Sequence, residues 1–520
     1  MNRAVRRHPL LLALPLTVAV LGATSLVGCT AVAGPGPEQD PALKSFYGQT
    51  LKWKDCGDLE CARLTVPRDY SHPENGKTFV LPVAKAATAD PDRRIGSLVY
   101  NPGGPGAGGV DDLKSDNGEA FGTKARARFD IVSFDPRGVG GSKPAVKCAE
   151  EDGEGEAEPL YPRTARDRAH ALAGARATAA ACVKGSGGIL RQVGTEDAAR
   201  DMDVLRAALG DRKLTYLGWS YGTSLGTSYA ELFPHRVRAL VLDGAVDPSL
   251  GWRERAMSQA VGFRRAVDDY ADYCADVAGD SCPGRTPDEI ADLIDGLYEQ
   301  TADEPLPVDG DEYGVDARMV LDVVTTAMYG PEDDWEGLSH ALSDAADGDG
   351  TKLADLASAT EPTEPTDEPA PDSRRKARGD SAAPDNSDTA IVAVSCLDTP
   401  HPRTAQPYWN ALGRADKAAG VYGTSSVTDE LTCEDWPAGT QRPHKVRAEG
   451  VPPVLVVGTT GDPATPYEEA ESLADQFPGG MLLTYEGLGH TAYGRSNACV
   501  TDAVDAYLTA LKPVRSGATC

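Results

Sequence analysis

A serine hydroxyl becomes a useful nucleophile only when a nearby base can take its proton. Ser220 stands in Gly218-Trp219-Ser220-Tyr221-Gly222, a setting built for that chemistry. Residues 213–217 read as a buried strand, and residues 223–232 read as a helix ended by Pro234. A strand, a Gly-x-Ser-x-Gly turn and a helix make a nucleophile elbow, which exposes the hydroxyl at the end of a sheet. The glycines answer to a strained serine backbone that leaves no room for Cβ atoms two residues away. A second match, Gly222-Thr223-Ser224-Leu225-Gly226, overlaps the first. Ser224 falls about one helical turn beyond the strand, so Ser220 is the expected nucleophile.

The acid and the base should follow in the order Ser, Asp or Glu, His, from loops after later strands. Five histidines follow Ser220: His235, His340, His401, His444 and His490. His490 lies in Glu486-Gly487-Leu488-Gly489-His490-Thr491, a glycine-rich turn directly after a strand expected at 481–485. The others fall beside prolines or in a helical region, so His490 is the expected base. Asp462 follows the strand-like run 454–457 in Gly461-Asp462-Pro463 and is the expected acid. Its competitor, Asp243, directly follows a strand expected at 237–242 and could instead bond backbone in its own turn. The oxyanion of an acyl-transfer intermediate needs backbone N–H donors. Tyr221, next to the nucleophile, supplies one. Gly104, in Asn101-Pro102-Gly103-Gly104-Pro105-Gly106 after a strand at 97–100, supplies the other. No nucleotide-loop pattern is present there, and no cofactor or metal is implied.

These residues need a scaffold with parallel strand ends. Strands are expected at 62–66, 78–84, 97–100, 129–134 and 237–242, with a helix near 196–209. The rhythm stops after Pro248 and returns at 454–457, with helices near 467–476 and 499–511. This predicts an α/β core, residues 51–248 and 396–520, interrupted by a helical cap over 249–395. Within the cap, an acidic, proline-rich stretch at about 350–390 is expected to be disordered.

Arg3, Arg6 and Arg7 precede an apolar run that ends Leu26-Val27-Gly28-Cys29, the layout of a lipoprotein signal over residues 1–28. Cys29 would carry the lipid, followed by a tether over 29–50; cleavage after Ala33, giving a fully secreted protein, is the alternative. Lipidation of Cys29 would leave ten of the 11 cysteines, an even set for an exported protein. Their spacing suggests local bridges: Cys56 with Cys61, Cys148 with Cys182, Cys274 with Cys282, Cys396 with Cys433, and Cys499 with Cys520. Spacing alone leaves other pairings open. A metal site is a poor alternative, because no C-x-x-C pair accompanies them. The formal charge of −28 becomes −31 once the three signal arginines are removed. Such a surface argues against nucleic-acid binding and against attachment to anionic lipid through basic residues.

The assembled motifs resemble those of the actinomycete tripeptidyl aminopeptidases, relatives of the proline iminopeptidases. Pro102-Gly103-Gly104-Pro105-Gly106 is similar to the His-Gly-Gly-Pro-Gly loop of the latter, with Pro102 replacing the histidine. Asp135-Pro136-Arg137-Gly138-Val139-Gly140-Gly141-Ser142, the elbow, Gly461 to Pro466 and Gly489-His490 also match. The resemblance implies an α/β-hydrolase fold, with a mostly parallel sheet, helices on both faces and an inserted cap. It further implies an exopeptidase that releases short peptides, tripeptides being expected, from the N-termini of peptides or proteins, and the lipoprotein signal would put it at the outer face of the cell membrane. Such an enzyme needs an anionic group for the substrate's α-ammonium. Glu254, Asp268, Asp269 and Asp398 are candidates, with Asp398 favoured and Glu254 next. The alternatives are an esterase or lipase with the same triad, a proline iminopeptidase-like activity, and a non-catalytic binding lipoprotein.

Overall fold

Strands covered on both faces are buried at every position, as Gly96–Asn101 and Phe129–Phe134 are here. The computed structural model describes residues 40–149, 159–278, 281–360, 385–437, 439 and 441–520. The expected signal, Cys29, the start of the tether and residues 361–384 of the acidic stretch lie outside the described residues.

Twelve strands are described: β1 Lys54–Cys56, β2 Leu59–Pro67, β3 Thr78–Ala86, β4 Gly96–Asn101, β5 Phe129–Phe134, β6 Leu214–Trp219, β7 Val237–Asp243, β8 Leu306–Val308, β9 Asp311–Val315, β10 Leu455–Gly461, β11 Met481–Leu488 and β12 Ala518–Thr519. Ten form one sheet in the order β1-β2-β3-β5-β4-β6-β7-β10-β11-β12. β1, β2, β3 and β5 pair antiparallel, and from β5 to β12 every pair is parallel. The fold is the α/β-hydrolase fold. Apolar clusters fill both faces of the sheet, one built around Phe79, Tyr216 and Leu242, the other around Tyr100, Val241 and Val457. Because these strands run parallel, the loops that follow β4, β6, β7, β10 and β11 gather at one end.

The Asp135–Ser142 segment braces this end. Arg137 is fully buried and donates to Asp201 from Nε at 2.7 Å and from Nη2 at 2.6 Å. Its other donors reach the carbonyls of Pro67, Arg68 and Gln192. Such a fork needs all of these acceptors, because an unpaired buried guanidinium would be strongly destabilising. Asp135 accepts from the amides of Val110 and Gly141, both at 2.9 Å.

The helices Trp252–Tyr273, Pro287–Asp303, Ala317–Ala327, Pro331–Ala346 and Thr351–Thr360 form the cap, with the β8–β9 hairpin among them. Their shared cluster centres on Tyr270, Tyr298 and Trp335. The acidic stretch expected to be disordered is therefore ordered at its start, where Leu353 is buried in this cluster. The cap layer also continues past residue 395. The helix Gln406–Asp429 packs Tyr408, Ala411 and Ala415 against Ala171 and Ala175 of the helix Ala165–Ser186, with Trp252 and Met257 beside them. The small alanine faces allow this close approach. The helix is broken in the middle, where Ala419 and Gly420 leave helical geometry. Residues 43–49, expected within the tether, are held on the core: Leu43 is buried, Tyr47 donates to Asp203 at 2.7 Å, and Gln49 bonds both backbone groups of Thr65.

The ten cysteines form the five bridges that their spacing suggested. Cys56 is bonded to Cys61, Cys148 to Cys182 and Cys274 to Cys282. Cys396 is bonded to Cys433 and Cys499 to Cys520. The Cys56 bridge closes the β1–β2 turn, the Cys274 bridge ties off the end of the first cap helix, and the Cys499 bridge fastens β12 to the last helix. Among the described residues, no helix is long and apolar enough to cross a membrane.

Candidate active site

Ser220 connects β6 to the helix Tyr221–Leu232 with φ 54° and ψ −126°, a conformation rare for residues with a side chain. The turn closes so tightly that a Cβ on Gly218 would lie 2.2 Å from the Gly222 carbonyl oxygen. A Cβ on Gly222 would meet the Asn101 carbonyl oxygen at 2.6 Å. Ser220 N–H donates to the Asp243 carbonyl at 2.9 Å, tying the elbow to the end of β7. Ser224 sits inside the helix, one turn beyond.

His490 and Asp462 meet. Nδ1 of His490 lies 2.8 Å from Oδ1 and 3.0 Å from Oδ2 of Asp462, and both residues are buried. Asp462 also accepts from the amides of Ala464 at 3.0 Å, Thr465 at 2.8 Å and Thr491 at 3.2 Å, and from the Thr465 hydroxyl at 3.1 Å. These donors hold the carboxylate in one orientation and aim it at the imidazole. The opposite nitrogen, Nε2 of His490, is buried without a hydrogen-bond partner. Thus the imidazole is fixed at one nitrogen and open at the other, as a base awaiting a proton donor must be.

Asp243 is also buried beside this pair, but its carboxylate accepts the amides of Ala492 at 3.1 Å and Tyr493 at 2.8 Å. Burial pushes its carboxyl up to about 6. The cap reaches the site through Tyr329, whose carbonyl accepts the His490 N–H at 3.0 Å. The Tyr329 ring stands edge-on to the imidazole, 5.1 Å between centroids. Tyr329 carried no signal in the sequence, since its contact depends on how distant segments meet, whereas Thr465 lies three residues past Asp462, inside the matched Gly461 to Pro466 block.

Gly103 and Gly104 both have positive φ, 114° and 102°. A Cβ on Gly103 would lie 2.8 Å from the Ser220 Cβ, so the loop rests directly on the serine. Gly103 N–H donates to Asn101 Oδ1 at 3.2 Å, which makes Gly104 the next amide along the loop. The other expected donor, Tyr221, begins the elbow helix, and its hydroxyl bonds Thr195 Oγ1.

The acidic candidates separate. Asp398 lines a cleft with Pro105, Tyr221 and Ser224, accepts from the Thr195 amide at 2.9 Å and from the Thr195 hydroxyl, and is raised to about 6 by burial. Glu254 is exposed, paired with Arg253 at 2.8 Å, and lines a different cleft with Arg414 and Lys417. Asp268 pairs with Arg264 at 3.1 Å, and Asp269 is half-buried on the same helix. One cluster, His401, Glu430 and Cys433, has metal-ligand types within 4.8 Å of one another. Cys433 is bonded to Cys396 and His401 Nε2 to Glu430, so a thiolate ligand is not on offer.

A family model described as alpha/beta hydrolase fold matches residues 96–279, and one described as TAP-like protein matches residues 419–520. Serine protease Hip1 of Mycobacterium tuberculosis is 36% identical over 524 residues, 95% of each chain. Tripeptidyl aminopeptidase of Streptomyces lividans is 33% identical over 488 residues, 90% of this chain and 86% of that one. This chain belongs to the tripeptidyl aminopeptidase family. Carboxylesterase B of Mycobacterium tuberculosis is similar too, 34% identical over 527 residues, 95% of this chain and 96% of that one. Among solved structures, proline iminopeptidase of Mycobacterium smegmatis is 14% identical with a TM-score of 0.38, covering 86% of this chain and 97% of that one. As a member of the tripeptidyl aminopeptidase family, the protein is an enzyme, a serine hydrolase.

Proposed function

We propose that the protein is a serine exopeptidase that releases short peptides, tripeptides foremost, from the N-termini of peptides and proteins through Ser220, His490 and Asp462. The observation that carries this reading is the Asp462–His490 bond with Nε2 left without a partner, in a fold that also holds a glycine-framed serine elbow. His490 Nε2 takes the Ser220 proton as Oγ attacks the scissile carbonyl carbon. The amides of Tyr221 and Gly104 bind the oxyanion, worth ~3 kcal/mol for a single donor. As the C–N bond breaks, His490 returns the proton to the leaving amine. Water, deprotonated by His490, then attacks the acyl-enzyme, and Ser220 recovers its proton as the peptide acid leaves. Asp462 holds the productive tautomer throughout. Asp398, which lines the cleft beside Tyr221, receives the substrate's α-ammonium in this reading, whereas Glu254 lines a different cleft. The enzyme acts outside the cell, held to the membrane by lipid on Cys29.

Esterase action is a second reading, favoured by the likeness to carboxylesterase B, because the same machinery cleaves esters and amides. Tripeptide and mono-aminoacyl p-nitroanilides assayed beside p-nitrophenyl esters separate the two. Tripeptide release identified by mass spectrometry is expected, with loss of turnover and of fluorophosphonate labelling in Ser220→Ala. Ester hydrolysis with every peptide intact would sink the peptidase. Intact-mass analysis of the mature N-terminus checks the anchor, and an unlipidated start past Cys29 would refute it.

A further inference from the structure

The cleft beside the elbow brings two guanidiniums, Arg255 and Arg442, together with two carboxylates, Asp398 and Glu231. Pro105, Tyr221, Ser224, Thr195 and Asp398 line it, together with Arg255 from the cap helix Trp252–Tyr273. Arg255 is half-buried, and its Nε is buried without a hydrogen-bond partner. Among the described residues it forms no ion pair within 4.0 Å. The two carboxylates whose charge reaches Arg255 are engaged by other donors. Asp398 is held by the Thr195 amide and hydroxyl. Glu469 accepts from the Asp247 amide at 3.0 Å and the Ser258 hydroxyl at 2.6 Å. The Arg255 charge favours the ionised form of both carboxyls against the burial that raises them, yet neither bonds the guanidinium.

Arg442 lines the same cleft and donates to the backbone carbonyl of Gln441 at 2.6 Å. His444, by contrast, is paired with Glu231 at 3.1 Å. A chain with a formal charge of −28 has carboxylates in excess. Two guanidinium groups that face one cleft, neither with a carboxylate partner among the described residues, therefore stand out against the charge balance. A guanidinium is always charged and presents a fork of donors that matches a carboxylate. Leaving part of that fork buried and unbonded is unfavourable until an acceptor arrives.

We infer that Arg255 is a specificity residue that receives a carboxylate of the substrate, an acidic side chain within the first residues of the peptide. The inference rests on the peptidase reading and deepens it: Asp398 takes the α-ammonium, and Arg255 reads the side chain on the same stretch of substrate. The occupant is an acidic peptide, since the carboxylate must reach the cleft while the scissile carbonyl sits at Ser220.

The test is a panel of tripeptide p-nitroanilides that carry Glu or the isosteric Gln at each position in turn. At one position Glu is expected to exceed Gln by about tenfold in kcat/KM, the equivalent of one charge-assisted bond. Arg255→Gln should erase that preference by raising KM for the Glu substrate, leaving the Gln substrate within about twofold of wild type. Arg255→Lys should keep part of it. Peptides cleaved with no preference for Glu at any position would overturn the inference and leave the peptidase intact. So would an Arg255→Gln variant that slows Glu and Gln substrates equally. If no peptide is cleaved, both readings fail. A wild-type panel without Glu preference overturns the assignment by itself, and Arg255→Lys carries the test if Arg255→Gln misfolds.

Discussion

Asp243 and Asp462 end neighbouring parallel strands, yet the molecule uses them differently. Asp243 is the last residue of β7 and stands in register with Val457 of β10, whereas Asp462 lies one residue beyond the end of β10. Both are buried, and both accept backbone amides from the loop that follows His490. Only Asp462 also meets the imidazole. A carboxylate still within its strand holds main chain, and one carried past the strand by a Gly-Asp-Pro turn reaches a side chain. Depth is common to both; reach is what separates them.

Replacing the carboxylate that touches the base should give the largest effect. Asp462→Asn is expected to lower kcat by ~10³–10⁴-fold, because an amide presents N–H to Nδ1 and favours the wrong tautomer. Steady-state kinetics with a thermal melt checks this, and a loss below tenfold would place the orienting acid elsewhere. Asp243→Asn should reverse the balance, with kcat within about tenfold of wild type and a Tm lower by several degrees. Its deficit should also depend on pH. Burial raises the folded Asp243 carboxyl to about 6, above its unfolded value, so the native state holds this proton more tightly. The stability it contributes is full below about pH 4 and lost as pH rises through about 6. Asn does not titrate, so the gap in Tm should narrow between pH 4 and 7; a widening gap would show that the folded protein prefers the carboxylate. The smallest effect is expected from Thr465→Val, which removes one hydroxyl donor from Asp462 Oδ2. A fall in kcat of roughly threefold fits one neutral bond, and no measurable change would mean the backbone amides alone fix the carboxylate.

The parts of the fold that follow local rules were legible in the sequence. The strand at 129–134 and the helix at 467–476 fall where the pattern put them, and the elbow strand and helix agree within two residues. The bridges were legible for the same reason, since each joins cysteines that are neighbours in the sequence order of the set, as Cys148 and Cys182 are. Chain order also singled out Asp462 and His490, which the structure brings into contact. What escaped depends on distance. The helix Ala165–Ser186 is rich in alanine and has little amphipathic pattern, because its small faces serve close packing rather than a single apolar stripe. The β8–β9 hairpin is too short to announce itself within a helical region. The helix Gln406–Asp429 joins the cap because Trp252 and Met257 meet its alanine face and Tyr422 bonds Tyr298, more than one hundred residues earlier. Within the site, Asp398 was readable as an acid near the return to the core. Arg255 was not, since an unpaired guanidinium is defined by partners it lacks.

The bond from His490 N–H to the Tyr329 carbonyl ties the base to the cap. That amide proton cannot exchange with solvent while the bond is closed, so it exchanges only as often as the cap lets go. His490 thus carries its own clock. Where intrinsic exchange outruns reclosing, its hydrogen-exchange rate counts how frequently this contact opens, and comparing that rate with turnover tells whether release of the cap or the chemistry sets the pace.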